Sequence, residues 1–309
     1  MLSQNIRILD FDGSLTKQQN LLSRYVHQII SLKDLGPRAR LWMDSCTSRN
    51  IQEYLKEDSR GAVTFFGSGD FHHLSSLLLS QFQEPLSLIV FDFHPDWDIL
   101  PPRMGCGSWV TRSLRKENIL KCFLIVVSSK DISYPWIQSG NLNLLKNNRL
   151  EIYPYAHGPT PVFLKKIPEN ISIRLEKGLL GSRIYWDEMR GKDLKEFFLS
   201  LIKRLPARNV YVSIDKDCLR NEYALTNWEE GRLSLDELLL MLRLIKENLE
   251  IVGLDITGDY SRVSVSGSLK GILSRLDHPK EVEAGKFPEE AVTSINETTN
   301  LRILDTLFA

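Results

Sequence analysis

LSLIVFDFHPDWD, residues 86–98, decides the fold because an apolar run passes directly into a run of acidic and imidazole side chains. The run 86–91 is mainly apolar on both faces, which is typical of a strand inside a parallel sheet. Asp92, His94 and Asp96 follow at alternate positions, which places them on one side of an extended segment. Ligands bind beyond the carboxyl ends of parallel strands, so this stretch predicts both a sheet and a site at its edge.

Similar apolar runs recur along the chain. They are rich in β-branched and aromatic residues and cover 6–9, 62–66, 86–91, 122–127, 150–155, 171–175, 209–214 and 250–256. Apolar residues at helical spacing lie between several of them, at 21–30, 194–205 and 235–249. This alternation predicts an α/β protein with three α/β/α layers and a mostly parallel sheet. Neither a repeat nor a Gly/Ser-rich linker divides the chain, which favours a single domain over residues 1–309.

Composition excludes several classes of partner. Lys plus Arg and Asp plus Glu both total 39, so the formal net charge is zero and we expect neither nucleic acid nor a membrane surface as partner. A small molecule is the expected partner, and the sequence leaves open whether the chain forms a homo-oligomer. The four cysteines include no C-x-x-C pair, and the chain shows neither a secretory leader nor an apolar stretch of about 18 residues. A reducing cytoplasm is therefore the expected location.

Two further polar clusters follow apolar runs. Asp215 and Asp217 come directly after 209–214, and His72 and His73 come shortly after 62–66. Clustered carboxylates repel each other unless a cation compensates them, and carboxylates with a few imidazoles suit manganese better than zinc or iron. The alternative is a set of polar turns whose carboxylates cap the helices that follow.

Taken in their order along the chain, the clusters at 68–73, 92–96 and 213–217 resemble the signatures of the ureohydrolases: arginase, agmatinase, formimidoylglutamase and their relatives. The GGDH-type segment matches Ser68-Gly69-Asp70 with His72 or His73, the DAHxD-type segment matches 92–96, and the SxDxDxxDP-type segment matches 213–217. The resemblance implies an arginase-like fold with two manganese ions, zinc being the alternative. It also implies that Asp92 and Asp215 bridge the ions. The other implied ligands are His72 or His73, His94, Asp96 and Asp217.

The chain departs from the family pattern where substrate is handled. The terminal Asp-Pro of the third motif is missing, and residues 104–109 lack the histidine that shuttles a proton in arginase. The late acidic residue that binds guanidinium in the family falls at Gly258, with Asp259 as the neighbour that could replace it. The substrate residues predicted on this basis are Asp259, Trp109 and Ser108. The predicted proton carriers are Asp96 or Asp98. Arg103 and Arg112 could pair with a substrate carboxylate or be salt-bridged instead.

The leading hypothesis is a manganese-dependent hydrolase that cuts a C–N bond of a small guanidino, amidino or amide compound. Three alternatives stay open: a single-zinc deacetylase of the same fold, a metal-binding protein without activity, and a haloacid dehalogenase-like phosphatase. The last rests on Asp10-x-Asp12 after the first apolar run, which would otherwise be an edge strand and turn. The segment 278–295, dense in charge and proline, predicts a surface loop before a short final helix.

Overall fold

The computed structural model describes residues 2, 4, 6–55, 60–102, 104–134, 139–162, 170–178, 181–277 and 287–309. Its strands are β1 (Ile6–Asp10), β2 (His27–Ser31), β3 (Val63–Gly67), β4 (Leu86–Phe91), β5 (Ile119–Ile125), β6 (Leu150–Tyr153), β7 (Thr160–Val162), β8 (Ile173–Gly178), β9 (Gly181–Trp186), β10 (Asn209–Asp215) and β11 (Glu250–Thr257). Its helices are α1 (Gln19–Arg24), α2 (Gly36–Ala39), α3 (Ser45–Tyr54), α4 (Ser75–Leu78), α5 (Trp109–Ser113), α6 (Leu142–Lys146), α7 (Leu194–Ile202), α8 (Leu235–Asn248), α9 (Ser268–Asp277) and α10 (Glu289–Phe308).

Eight strands form one parallel sheet in the order β2-β1-β3-β11-β10-β4-β5-β6. A separate antiparallel sheet has the order β7-β9-β8. Helices cover both faces of the large sheet. The predicted three-layer α/β fold with a mostly parallel sheet is therefore confirmed.

Strand β4 shows how the two cores divide. Ile89 and Phe91 point into the core that α7, α8 and α10 cover, whereas Leu88 and Val90 point into the core on the other face, under α3, α4 and α5. All six residues of β4 are buried. Because both faces of the sheet exclude water, the sequence of this strand is a nearly continuous apolar run and does not alternate between apolar and polar residues.

The segment 21–30 differs from the prediction of a helix. Helix α1 ends at Arg24, and β2 begins at His27. Strand β2 is an edge strand with mostly exposed side chains, and it pairs with β1 along its whole length. The structure of β2 is decided by its backbone hydrogen bonds to β1. The periodicity of side chains cannot reveal such bonds. As a result β1, predicted as an edge strand, lies inside the sheet.

Two other segments also differ from the prediction. The run 171–175 contributes to β8, which belongs to the small antiparallel sheet and not to the large one. The final helix is 20 residues long rather than short and begins within the predicted loop, while residues 278–286 lie outside the described ones. Helix α10 is anchored by Asn296, whose side chain bonds both the N–H and the C=O of Leu225. Among the described residues, no helix combines the length and apolar character that crossing a bilayer requires.

The pair Ile8 and Ile29 offers a matched test of this layering, since the two residues are partners in the β1–β2 register. Ile8 is fully buried, and Ile29 is 41% exposed. Ile8→Ala should lower the free energy of unfolding by about 2–5 kcal/mol because it leaves a cavity. Ile29→Ala should cost less than about 1 kcal/mol. Urea denaturation of both variants measures the difference, and equal losses would contradict the assignment of β2 to an exposed edge.

Candidate metal centre

The three polar motifs meet at one edge of the large sheet. They follow β3, β4 and β10, which lie within a group of four adjacent strands that also includes β11. The pairing of Ile214 with Phe91 places the next residues, Asp215 and Asp92, side by side. Parallel pairing thus brings together carboxylates that are 123 positions apart in the chain, as the sequence numbers show.

His72 lies at the centre of one group of ligand atoms. Its Nδ1 is 3.1 Å from Oδ2 of Asp92, 3.4 Å from Oδ2 of Asp96 and 3.5 Å from Oδ2 of Asp215. The position of His72 comes from the 3-10 segment Gly69–Leu74 that follows β3. Asp96 is held with φ of 46°, in the left-handed region, where a non-glycine residue is uncommon.

His94 lies in a second group that shares Asp92 with the first. His94 Nδ1 is 3.0 Å from Oδ2 of Asp217 and 3.7 Å from Oδ1 of Asp92. In each group, His72-Asp92-Asp96 and Asp92-His94-Asp217, the potential ligand atoms lie within 4.8 Å of one another. The three motifs together supply six side chains, and these side chains converge on two adjoining positions.

His73 takes no part in this cluster, and of the two histidines that the sequence leaves open only His72 lies in it. The Nδ1 of His73 faces Sγ of Cys106 at 3.5 Å. Cys106 donates to the carbonyl oxygen of Asp70 at 3.0 Å, and burial raises the pKa of its thiol well above the usual value. A thiol is a weaker nucleophile than a thiolate, so this environment does not activate Cys106.

A chain of hydrogen bonds orients His72. Ser213 donates its hydroxyl proton to Oδ1 of Asp255 at 2.6 Å, and Tyr211 donates to Oδ2 of Asp255 at 2.7 Å. Since Ser213 has spent its only proton, its oxygen accepts from Nε2 of His72 at 2.8 Å. Nε2 therefore carries a proton, and Nδ1 faces the carboxylates. Outer-sphere contacts of this kind fix the orientation of metal-binding histidines.

Glu229 lies beside Nε2 of the second histidine, His94. Its Oε2 lies 3.2 Å from Nε2 of His94, on the side of the ring opposite the cluster. The ring of Trp228 packs edge-on against His94, with the centroids 5.3 Å apart, and Trp228 Nε1 donates to Oδ1 of Asp70 at 3.0 Å. Both imidazoles thus present Nδ1 to the cluster and give Nε2 an oxygen partner.

The cluster strongly attracts positive charge. Burial disfavours the charged imidazole, but the adjacent carboxylates of Asp92 and Asp96 outweigh it and raise the pKa of His72 well above its usual value. Burial and the charge of Asp217 raise the pKa of Asp215. Burial and the charge of Asp92 likewise raise the pKa of Asp96 to about 7. Negative charge is therefore costly at these positions unless a cation shares the site.

The donor set fits divalent metal ions. Asp92 is fully buried, yet its Oδ2 accepts no hydrogen bond from the described residues. Four carboxylates with two imidazoles form a mainly oxygen-donor set, which suits manganese. Gly69 keeps the space clear, because a Cβ at this position would lie 2.8 Å from Oδ2 of Asp215. These features favour ion binding over the alternative of helix-capping turns.

A pocket of about 470 Å³ opens above the cluster. Beyond the six clustered side chains, its polar walls include Asp98, Cys106, Ser108, Asp131 and Glu229. Ser108 donates to the carbonyl oxygen of Pro102 at 2.8 Å. Burial and the charge of Asp131 raise the pKa of Asp98 to about 7. Ser108 and Asp98 therefore both line the pocket.

Trp109 lies beneath the cluster and not in the cleft that the sequence predicts for it. It is fully buried, and its Nε1 donates to Oδ2 of Asp96 at 2.7 Å. Its ring packs against His72, with the centroids 4.7 Å apart. Trp109 does not belong to the pocket lining. Its place at the start of α5 turns the ring inward, so it supports two of the clustered side chains instead of contacting substrate.

Asp259 also lies away from the pocket, contrary to the prediction that it contacts substrate. Its Oδ1 is 2.9 Å from Nζ of Lys216 and accepts from Nε2 of Gln18 at 2.6 Å. Gly258 has φ of 90°, and a Cβ there would lie 2.6 Å from Oδ1 of Asp215. Position 258 therefore cannot carry an acidic side chain. The carboxylate of the next residue, Asp259, forms a buried ion pair with Lys216.

Asp10 and Asp12 organise the loop after β1. Gly13 N–H donates to Oδ1 of Asp10 at 2.8 Å, and Lys33 Nζ lies 3.1 Å from Oδ2 of Asp10. Asp12 accepts from the N–H of Ser68 at 3.0 Å, which ties this loop to the start of the first motif. Neither aspartate lines the pocket. The phosphatase hypothesis therefore lacks a nucleophile at this site.

Several site residues escape sequence reasoning. Asp255 lies inside β11, and the one signal that marks it is a charged residue in an apolar run. Trp228 and Glu229 come from the loop before α8, in which no motif indicates them. Of the two arginines considered for a substrate carboxylate, Arg112 does not line the pocket and Arg103 lies outside the described residues.

Comparison with known proteins agrees with the fold. No family model matches the chain. A protein of Thermotoga maritima described as uncharacterized is 27% identical over 308 residues, covering 100% of this chain and 91% of its own.

Solved structures are similar over nearly the whole chain. The agmatine ureohydrolase of Thermoplasma volcanium has a TM-score of 0.55 at 9% identity and covers 99% of this chain and 90% of its own. Formimidoylglutamase from Bacillus subtilis has a TM-score of 0.55 at 13% identity and covers 99% and 88%. Entamoeba histolytica arginase has a TM-score of 0.55 at 10% identity and covers 100% and 99%. The resemblance to the ureohydrolases is thus confirmed at the level of the fold, which is arginase-like.

Ser213 provides a test of the arrangement around His72. Ser213→Ala removes the acceptor of Nε2, so it should weaken manganese binding by about 10–100-fold. Ser76→Ala is the matched control, because that buried hydroxyl bonds the backbone carbonyl of His73 and not a ligand side chain. Equilibrium dialysis with manganese measures both affinities. Equal affinities in the two variants would show that the Ser213–Asp255 chain does not position His72.

Proposed function

We propose that the protein is a hydrolase with two manganese ions that cuts a C–N bond of a small amide, amidino or guanidino compound. One observation carries this proposal: two groups of ligand atoms share Asp92 and lie at the floor of a pocket. A single ion needs only one such group. The pocket gives a small molecule access to both.

The ligands we propose for the two ions are His72, Asp92, His94, Asp96, Asp215 and Asp217. Bound manganese would supply a Lewis acid that activates water and polarises the substrate. Ser213 and Glu229 keep the imidazoles in the orientation that binds metal. The neighbours of known activity support the hydrolase class, since they are described as an agmatine ureohydrolase, a formimidoylglutamase and an arginase.

The leaving nitrogen needs a proton when water adds its oxygen to the carbon. Two carboxyl groups are candidates for carrying it, Asp96 and Asp98, and burial with the charge of Asp131 raises the pKa of Asp98 to about 7. Asp96 is held by Trp109 inside the cluster, whereas Asp98 lies on the pocket wall. A group that titrates near neutral pH can take up and return a proton during one turnover.

The single-zinc deacetylase is the second candidate with the same fold. The positions of Asp96 and Asp217 argue against a single zinc ion. Asp96 belongs to the group around His72 and Asp217 to the group around His94, so each group has a carboxylate besides the shared Asp92. Metal counting separates the two hypotheses. Two manganese ions per chain agree with the proposal, and one tightly bound zinc without activation by manganese favours the deacetylase.

Removal of metal tests the hydrolase itself. The purified protein, loaded with manganese, should hydrolyse at least one member of a panel of N-acylated amines, amidines and guanidines. Dialysis against a chelator should abolish the activity, and added manganese should restore it. Asp217→Asn should bind less metal and lose activity together, because the variant weakens one of the two groups. Normal metal content with no hydrolysis of any panel member would support a metal-binding protein without activity.

Arginine and agmatine are not expected to be substrates. A guanidinium group in a dry pocket needs a carboxylate partner. The prediction concerns the position where the family pattern places this partner: Gly258 cannot supply one, and Asp259 is bound to Lys216 outside the pocket. Assays of both compounds with manganese should therefore show no urea release, with Asp259→Ala assayed beside the unaltered protein. Robust activity that survives Asp259→Ala would show that another residue holds the guanidinium group.

A further inference from the structure

A buried ion pair lies directly behind the proposed metal centre. Resting on the function proposed above, we infer that Asp259 is a positioning residue for that centre. Its carboxylate holds the ammonium group of Lys216 away from Asp215 and Asp217, and so keeps these two ligands free for manganese. Asp259 does not line the pocket above the cluster, so it acts on metal binding from outside.

Lys216 is a buried cation inserted between two proposed ligands. It follows Asp215 and precedes Asp217 in the chain, and its side chain is fully buried. Its Nζ lies 2.9 Å from Oδ1 of Asp259, which is its one ion-pair partner among the described residues. Because apolar side chains can replace a buried ion pair with little loss of stability, stability alone does not account for the pair.

Hydrogen bonds fix Asp259 in turn. Its backbone N–H donates to the carbonyl oxygen of Gly67, at the end of β3, at 2.9 Å. Its Oδ1 accepts from Nε2 of Gln18 at 2.6 Å and from Nδ2 of Asn300 at 3.3 Å. Asn300 also donates to Oε1 of Gln18 at 2.9 Å, so the two amides hold each other. Gln18 directly precedes α1 and Asn300 belongs to α10, so the carboxylate is attached to elements outside the metal centre.

The turn that carries both ligands rests against the end of β11. The N–H of Asp217 donates to Oδ1 of Asp215 at 3.1 Å and closes the turn. A Cβ at Gly258 would lie 2.6 Å from that same oxygen and 2.7 Å from the backbone nitrogen of Lys216. The backbone at Gly258 therefore supports the turn itself, and the next residue, Asp259, fixes the side chain that extends from it.

An ammonium group competes with a metal ion for carboxylates. Lysine carries its charge on a flexible stem of four carbons, and a buried charge without a counter-ion is costly. If Asp259 loses its charge, the carboxylates of Asp215 and Asp217 are the alternatives that flank Lys216 in the chain. The ammonium group then either occupies these carboxylates or repels the incoming ion from a short distance. Both effects lower the affinity for manganese.

Removal of the two charges in succession tests the inference. Asp259→Asn keeps an acceptor for Gln18 but removes the counter-ion of Lys216, so it should lower manganese affinity by about 10–100-fold. The double variant Lys216→Met/Asp259→Asn lacks the unpaired ammonium group as well, so its affinity should return to within about threefold of the unaltered protein. Equilibrium dialysis measures the affinities. The electron paramagnetic resonance spectrum should show coupled manganese ions in the unaltered protein and in the double variant, but not in Asp259→Asn at the same manganese concentration.

Glu151→Gln is the matched control, because Glu151 is also a buried carboxylate paired with a lysine. Its Oε1 lies 2.7 Å from Nζ of Lys121, between β6 and β5, and neither residue lines the pocket. The variant should unfold at a lower urea concentration, since it leaves a charge unpaired, and should bind manganese as the unaltered protein does. The control therefore separates general destabilisation from an effect on the metal centre.

Three results would overturn the inference. They are an unchanged manganese affinity in Asp259→Asn, an equal loss of affinity in Glu151→Gln, and a loss in Asp259→Asn that the double variant does not reverse. The last would mean that Asp259 acts without Lys216. If Asp259→Asn does not fold, Gln18→Met replaces it, because this variant keeps both charges and removes one bond that holds the carboxylate. Gln18→Met should lower the affinity by about threefold or more, and an unchanged affinity would again refute the role of Asp259.

These measurements need no turnover, so they separate the inference from the function on which it rests. The predicted pattern of affinities in a protein that hydrolyses no member of the panel would refute the hydrolase and leave the role of Asp259 standing. Hydrolysis by the manganese-loaded protein together with an unchanged affinity in Asp259→Asn would support the hydrolase and overturn the inference.

Discussion

The structure depends on one electrostatic constraint, which is that four aspartates approach each other in a region that excludes water. Coulomb repulsion between such groups is strong where the dielectric constant is low. Burial and the neighbouring charges raise the pKa values of Asp215 and Asp217, and the same field raises the pKa values of His72 and His94. Positive charge, on the imidazoles or on a bound cation, relieves this repulsion, so the cluster favours cations.

The parallel sheet makes this arrangement rigid. Adjacent strands bring Asp92 and Asp215 together by register, and helices on both faces prevent the strand ends from moving apart. Asp255 lies one strand further along and fixes His72 through Ser213. His72 is therefore oriented by side chains that are themselves buried. Preorganisation of this kind is what metal-dependent catalysis requires of its protein.

The region around Asp259 shows how one change of side-chain direction alters the chemistry of the pocket. Gly258 packs against Asp215 so closely that no side chain fits, and the following carboxylate forms an ion pair with Lys216, which lies between two proposed ligands in sequence. A buried ion pair contributes little net stability, because desolvation offsets the attraction. The ion pair holds the carboxylate of Asp259 outside the pocket. Asp98 and Asp131 still line the pocket.

The sequence by itself determined the sheet, its parallel character and the chemistry at its edge. Runs such as 86–91 are apolar on both faces because helices cover both, and the polar residues after them are where strand ends meet. Local periodicity missed β2, since pairing with β1 decides its structure.

Only the tertiary structure decided between His72 and His73, turned Trp109 beneath the cluster and directed Asp259 to Lys216. It also brought Glu229 to His94 from a distant loop. The physical reason is that donor type and strand position are local properties of the chain. The direction of a side chain depends on partners distant in sequence, and those partners are set only when the layers pack.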